Sequence, residues 1–310
     1  MRRSWRGDGR TLWSRLSKDE GIQQKSEMIN AETQLYGIVG NPVRKSLSPV
    51  IHNGAFRRMG INAAYLAFEV DDIEDVLYGI KGLGIQGVSV TLPFKTRVLP
   101  FLDELDALAE KIGAVNTIVN KRGRLIGHNT DHLGALKALE AKVDIRGRKV
   151  ILLGAGGAAR AIAYGLKKRE CQVTIFNRSP QKAATLAQEL GYLHHPLSVL
   201  FEIMGDRLDA DVLINATSVG MVPHEAENPF PKWLLKKGMI VMDIVYRPLR
   251  TQLLQDAEDQ GCETIDGLQM LAYQGAAQLE IWTGQCPDGE EIKTDLRKTL
   301  EMEHRFKETP

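Results

Sequence analysis

Residues 149–160 read KVILLGAGGAAR. An apolar, β-branched run leads into a glycine turn, and small residues then open a helical pattern. Gly154, Gly156 and Ala159 fit G-x-G-x-x-[GA]. The first glycine permits the tight turn and the second lets a pyrophosphate approach the backbone. The small third residue lets helix pack on strand, and the phosphate rests on the helix N-terminus. Alone, the pattern would also suit a plain turn in an α/β fold. Set between a strand and a helix, it indicates a dinucleotide site. The next strand ends in FNRSPQK (176–182). An NAD site calls for an acid here, to bind the ribose 2′-hydroxyl. Asn177 and Arg178 stand there instead, with Lys182 one turn on. A guanidinium matches a phosphate in a bidentate fork. The reading is therefore NADP over NAD, against a merely solvated strand end.

Working outward, QVTIFNRS, ADVLINATS, MIVMDIVY and ETID continue the strand series, and residues 267–284 return to helical periodicity. In INATSVGM (214–221), Asn215 and Ser218 suit capping, and Thr217 and Gly220 suit a cofactor-lining loop. Upstream lies a separate α/β series. Strands are expected at 35–40, 64–70 and 86–92, and helices at 48–60 and 72–84. A helical pattern covers 101–112, and NTIVN and RLIGHN flank KRG as a hairpin. Alternating strands and helices argue parallel sheets. The chain has 310 residues, enough for two domains. The expectation is an α/β protein in two parts with a cleft between them.

Within the first series, QGVSVTLPFK (86–95) raises a chemical question. An apolar strand breaks at Pro93 and delivers Lys95 past its carboxyl end, where ligands sit in α/β proteins. Lys95 is either a catalyst or a surface lysine after a turn.

Composition narrows the classes. Hydrophobic residues make up 43% and charged residues 25%, both globular values. The formal net charge of +1 gives no general attraction to nucleic acid or membrane. No apolar run approaches the roughly 18–20 residues of a membrane span. Three scattered cysteines form no CxxC pair, which suits a reduced, cytoplasmic protein. Residues 1–30 are basic, glycine-rich and aperiodic, and read as a disordered extension. Seven histidines suggest no metal site: His194 and His195 fall in an expected loop before Pro196. His128 and His132 are four apart, but the helix is expected to begin only near Asp131.

Nine landmarks now stand in order: GNPVRKSLSPVIHN (40–53), GVSVTLPFK (87–95), GAVNTIV (113–119), GHNTD (127–131), GAGGAAR, NRS, NATSVGM, DIVYRP (243–248) and DGLQMLAYQGAAQLEIWTG (266–284). Together they resemble the shikimate dehydrogenase family from Gly37 to Gly284. The resemblance implies NADPH-dependent, reversible reduction of 3-dehydroshikimate to shikimate, in aromatic amino-acid biosynthesis. It implies an N-terminal α/β substrate-binding domain (31–130 with 266–310) and a Rossmann-type NADP-binding domain (131–265), with a C-terminal helix returning to the former. It implies a small-molecule substrate, no nucleic-acid or membrane partner, and leaves a homodimer open.

Site residues carry over motif by motif. Ser46 and Ser48 resemble the family's binders of the substrate carboxylate, although Ser48 before Pro49 is also a good helix N-cap. Thr91, Asn116 and Asp131 look like ligands of the ring hydroxyls, and Tyr246 and Gln274 like two further substrate contacts. Tyr246 would otherwise be a half-buried strand-end tyrosine, and Asn116 a turn residue. Lys95 matches the catalytic lysine, with Asp131 as its partner. The cofactor would be held by Gly154, Ala155, Gly156, Gly157, Ala158, Asn177, Arg178, Ser179, Lys182, Thr217, Ile244 and Gly267.

The chain departs from the family pattern at Lys45 (often His), Ser89 (often Asn), Ser179, Ile244 (often Met) and Leu279 (often Phe). None of these removes a charged catalytic group. Two other functions share the architecture. A quinate/shikimate dehydrogenase often uses NAD; Ser48 and the Asn-Arg pair argue against it. A non-catalytic ligand sensor need not keep Lys95 and Asp131 together.

Overall fold

The computed structural model describes residues 29–203 and 208–308, with side chains through Glu303. All but the last two residues of the expected N-terminal extension lie outside that range.

Two six-stranded sheets organise the chain. The first contains β1 (Gln34–Gly40), β2 (Ala63–Glu69), β3 (Gly87–Val90), β4 (Glu104–Leu105), β5 (Thr117–Lys121) and β6 (Arg124–His128), in the order β2-β1-β3-β5-β6-β4. β1 pairs in parallel with β2 and β3. β5 runs antiparallel to β3 and β6, so the hairpin expected around KRG forms. Helices α1 (Ser48–Arg58) and α2 (Ile73–Gly82) cross over from β1 to β2 and from β2 to β3. Asp72 caps α2 by accepting from the Glu74 amide.

The second sheet is wholly parallel and holds β7 (Lys149–Leu153), β8 (Gln172–Asn177), β9 (Leu193–Pro196), β10 (Val212–Asn215), β11 (Ile240–Asp243) and β12 (Glu263–Ile265). Its order, β9-β8-β7-β10-β11-β12, is the Rossmann order, with the switch point between β7 and β10. The central strands are buried along both faces, as a helix-covered parallel sheet requires.

Two helices join the sheets. α4 (Asp131–Glu140) gives Ala135, Ala138 and Leu139 to the core of the second sheet. α8 (Gly267–Thr283) returns to the first unit, placing Leu268, Ala272, Ala276 and Leu279 in its core, while Met270 reaches the second core. Gly134 allows this contact: a Cβ there would lie 2.6 Å from the Met270 carbonyl oxygen. A last helix, α9 (Gly289–Glu308), adds Ile292 and Leu296 to the first core.

Three expectations need correction. The helical pattern at 101–112 splits into a 3-10 turn (Leu99–Phe101), the short β4 and a six-residue α3 (Ala107–Ile112). Asp106 is the reason: its carboxylate accepts from the Leu108 and Ala109 amides and starts the helix there. Ser48 is not an N-cap; that position falls to Leu47, and Ser48 lies buried in the first turn. His194 and His195 lie in β9 rather than a loop, and the His195 ring packs 5.6 Å from Phe176. Sequence patterning passed over α6 (Pro180–Leu190), α7 (Gln252–Asp259), β9 and α9.

Candidate active site

β3 ends at Val90, and after the Leu92–Pro93 bond the chain turns so that Lys95 faces the N-terminus of α4. Its Nζ lies 2.6 Å from Asp131 Oδ2. The Lys95 side chain is 19% exposed and that of Asp131 4%, so the lysine reaches solvent while the aspartate is sealed. Asp131 is the first residue of α4, and its amide donates to Asn129 Oδ1.

Asn116 joins the pair to the rest of the floor. Its Nδ2 lies 2.9 Å from Asp131 Oδ1, 2.9 Å from Thr130 Oγ1 and 3.3 Å from Gln274 Oε1. Gln274 Nε2 donates to the Leu271 carbonyl. Lys95, Asp131, Asn116 and Gln274, expected from four separate motifs, are thus linked in series by direct contacts.

A second group lies at the start of α1. The Tyr246 hydroxyl sits against the Ser46 side chain and the Leu47 backbone, and burial raises its pKa. Ser46 Oγ also accepts from the Ser48 amide. The Ser48 side chain reaches the Tyr65 hydroxyl. Thr91 lies just past β3, two residues beyond Ser89 and so on the same side of the chain. Its methyl would meet a Cβ at Gly40 at 2.3 Å, which sets it beside the end of β1.

The residues expected at the cofactor gather at the switch point and along β8. Gly154 has φ +112°, in the region that favours glycine, and a Cβ there would lie 2.9 Å from the Ala216 carbonyl oxygen. Gly156 is the N-cap of α5 (Gly157–Lys167); a Cβ there would meet nothing within 4 Å, so the space over the helix N-terminus is open. Ala155 is buried, and Gly157 and Ala158 are partly exposed. Such a cradle fits a pyrophosphate. Asn177 Nδ2 ties the turn by donating to the Ser179 carbonyl, and Ser179 is the N-cap of α6. Arg178 and Lys182 are exposed, with no ion pair among the described residues. Thr217 Oγ1 donates to Asn215 Oδ1, whose Nδ2 donates to Asp243. Asn215 therefore caps this loop, while Ser218 contributes its carbonyl, to Met221. Ile244 packs against the second core. A Cβ on Gly267 would lie 2.5 Å from the Ile244 carbonyl oxygen, so Gly267 lets α8 start under that loop.

The two halves touch at Lys95. A Cβ on Gly157 would lie 2.6 Å from the Lys95 Cβ, so the lysine stem rests on the first residue of α5. Arg160 of the same helix donates from Nε to the Ile112 carbonyl at 2.7 Å and pairs with Glu189.

Sequence reasoning missed Tyr65, Thr117, Thr130 and Gln278, all buried among these groups. Each reads as an ordinary strand or helix residue, and only the contact shows more. Of the departures from the family pattern, Ser89 is hydrogen-bonded to Tyr65 and Gln278, Leu279 is core, and Lys45 is exposed. His128 Nδ1 lies 2.5 Å from Asp106, and the described residues contain no cluster of metal-ligating side chains.

Residues 38–118 match the family model described as shikimate dehydrogenase substrate binding domain, residues 135–269 that of shikimate / quinate 5-dehydrogenase, and residues 267–293 that of shikimate 5'-dehydrogenase C-terminal domain. The shikimate dehydrogenase (NADP(+)) of Thermococcus kodakarensis is 51% identical over 264 residues, 84% of this chain and 95% of that protein. A crystal structure of a shikimate dehydrogenase in complex with NADP+ superposes with a TM-score of 0.82 at 40% identity, covering 89% of this chain and 99% of the other. The Thermus thermophilus shikimate 5-dehydrogenase in complex with NADP(H) and shikimate gives 0.78 at 37% identity, covering 86% and 100%.

Proposed function

The chain belongs to the shikimate dehydrogenase family, and from that premise we propose how its cleft carries out the reaction. The enzyme is an NADP-dependent oxidoreductase that interconverts 3-dehydroshikimate and shikimate. NADPH, when bound, supplies the hydride. The chain's own residues bind the ring acid, orient it and handle the proton.

Hydride delivery to a ketone leaves developing charge on the oxygen, which needs a proton donor within hydrogen-bond reach. Lys95 Nζ is the donor in carbonyl reduction and the acceptor in reverse, oriented by Asp131 Oδ2 at 2.6 Å. That contact is the observation that carries the reading. Asn116, Thr91 and Gln274 bind ring hydroxyls. Ser46, Ser48 and Tyr246 hold the carboxylate, a reading supported by the contact of the Tyr246 hydroxyl with Ser46 and by the position of both serines at the start of α1. Each hydroxyl of the substrate needs a partner once buried, because an unpaired one is costly. Arg178 and Lys182 take the 2′-phosphate, supported by their exposure and by the absence of an acid at the end of β8.

The substrate-binding unit comprises 31–130 with 266–310, and the NADP-binding unit 131–265; the memberships of α4 and α8 in the two cores support this division. We assign the enzyme to the cytoplasm on its free cysteines. The homodimer is proposed on the exposed edge strand β2, where Leu66 is half exposed, and is tested by sedimentation.

Lys95→Ala should lower kcat by at least about 100-fold while NADPH still binds. Asp131→Ala should act similarly, and the double variant should be scarcely worse than either, as for residues acting as a unit. A Lys95→Ala enzyme with near-normal kcat and only a raised KM for dehydroshikimate would reduce Lys95 to a binding residue.

A further inference from the structure

Behind the Lys95–Asp131 pair runs a file of hydrogen bonds with a single sense. The Tyr65 hydroxyl donates to Ser89 Oγ at 2.6 Å, and Ser89 donates to Gln278 Oε1 at 2.9 Å. Gln278 Nε2 donates to the Asn116 carbonyl at 3.0 Å and to Thr117 Oγ1 at 2.9 Å. Thr117 donates to Asn116 Oδ1 at 2.7 Å, and Asn116 Nδ2 donates to Asp131 Oδ1. Tyr65, Ser89, Thr117 and Gln278 are all at most 5% exposed, and their polar groups are taken up by one another and by Asn116.

The sense of the file follows from the groups that cannot reverse. A backbone carbonyl only accepts, so the atom of Gln278 facing the Asn116 carbonyl must be Nε2. Oε1 then faces Ser89, which has one proton and gives it there. Thr117, receiving from Nε2, has its own proton left for Asn116. A backbone amide only donates, and the Thr130 amide lies 2.8 Å from Asn116 Oδ1. Turning the Asn116 carboxamide over would set two donors against each other at that point. Its Nδ2 is therefore held toward Asp131 Oδ1, leaving Oδ2 for Lys95.

We infer that Gln278, through Thr117 and Asn116, is a positioning residue that fixes the Asp131 carboxylate in the orientation in which it meets Lys95. The inference rests on reading Lys95 and Asp131 as the proton-transfer pair. Gln278 comes from α8, Ser89 from β3 and Tyr65 from β2, so the file carries the mutual placement of three elements to one carboxylate.

Steady-state kinetics of Gln278→Leu, Thr117→Val and Thr117→Ser test this, with Lys95→Ala run alongside. Valine matches the shape of threonine without the hydroxyl, and serine restores it. Gln278→Leu and Thr117→Val should each lower kcat about 10-fold, with KM for shikimate within about 3-fold. Binding of NADP+, followed by fluorescence titration, should not change. Thr117→Ser should stay within about 3-fold of the parent kcat. Should Gln278→Leu fail to fold, the valine and serine variants decide alone. A Thr117→Val kcat equal to the parent's, or a Thr117→Ser enzyme as slow as Thr117→Val, would overturn the positioning role. The Lys95→Ala result separates the two readings: a lost kcat there with an intact Thr117→Val kcat sinks the positioning role alone, and a retained kcat sinks the pair and this inference with it.

Discussion

His52 is fully buried on α1, stacked on Tyr65 with ring centroids 4.2 Å apart, and Trp282 lies 5.1 Å away. Burial pushes its pKa down to about 3, and the neighbouring Gln278 side chain only partly offsets that shift. The consequence for stability has a definite sign. Above the ordinary value of 6.5 the ring is neutral whether folded or unfolded, and it contributes nothing. As pH falls from 6.5 toward 3, the unfolded chain takes up a proton that the folded one refuses, and stability is lost. Over two pH units that loss is roughly 2–3 kcal/mol. His52→Phe should remove it. Urea denaturation should show the variant gaining by about that much relative to the parent between pH 7 and 4.5. A constant difference between the two would mean that His52 takes up a proton in the folded state. Nothing in the segment SPVIHN marks this histidine as buried. Lys95 stood out because a proline-broken strand delivers it to a carboxyl end, and the family resemblance then singled it out. His52 did not, because its environment is made of Tyr65, on the following strand, and Trp282, on the distant α8.

Helices α4 and α8 bring Asp131 and Gln274 to one floor, and their approach depends on Gly134. A Cβ there would meet the Met270 carbonyl oxygen at 2.6 Å, Gln274 Cβ at 2.9 Å and the Gln274 amide nitrogen at 3.0 Å. Two of these atoms are backbone, so the helices themselves must move. Gly134→Ala should destabilise the protein by about 1–3 kcal/mol. It should also lower kcat, because Gln274 would withdraw from Asn116. Chemical denaturation and kinetics on one preparation check both; unchanged stability would mean that the helices slide apart freely. Elements with a local cause were readable from sequence. The glycine turn announced β7 and α5, and KRG announced the hairpin. The segment 101–112 was misread because the Asp106 cap competes with a helical apolar pattern, and the cap wins. α9 escaped notice because its apolar residues are few: among the described residues Ile292 and Leu296 are buried in the core and Leu300 packs against it.

Across the whole molecule, α8 belongs to both cores, with Met270 in one and Leu268, Ala272, Ala276 and Leu279 in the other. The two units should therefore unfold together. Leu296, fully buried at the far side of the first core, tests this. Leu296→Ala should cost about 2–5 kcal/mol and move a single calorimetric transition downward. Two resolved transitions, with only one shifted, would show that the units are energetically separate. The two-part architecture was visible in the sequence as two strand–helix series. The interlocking was not, since no local pattern records which core a helical residue will enter. The seating of the Lys95 stem on Gly157 extends this to heredity and engineering. Nucleotide-binding halves are often treated as cassettes, interchangeable wherever the cofactor is the same. Here a borrowed cassette whose first helical residue carried any side chain would push the lysine off its seat, even with its own nucleotide perfectly bound. The two halves can be recombined only as a matched set, with position 157 as the point of compatibility.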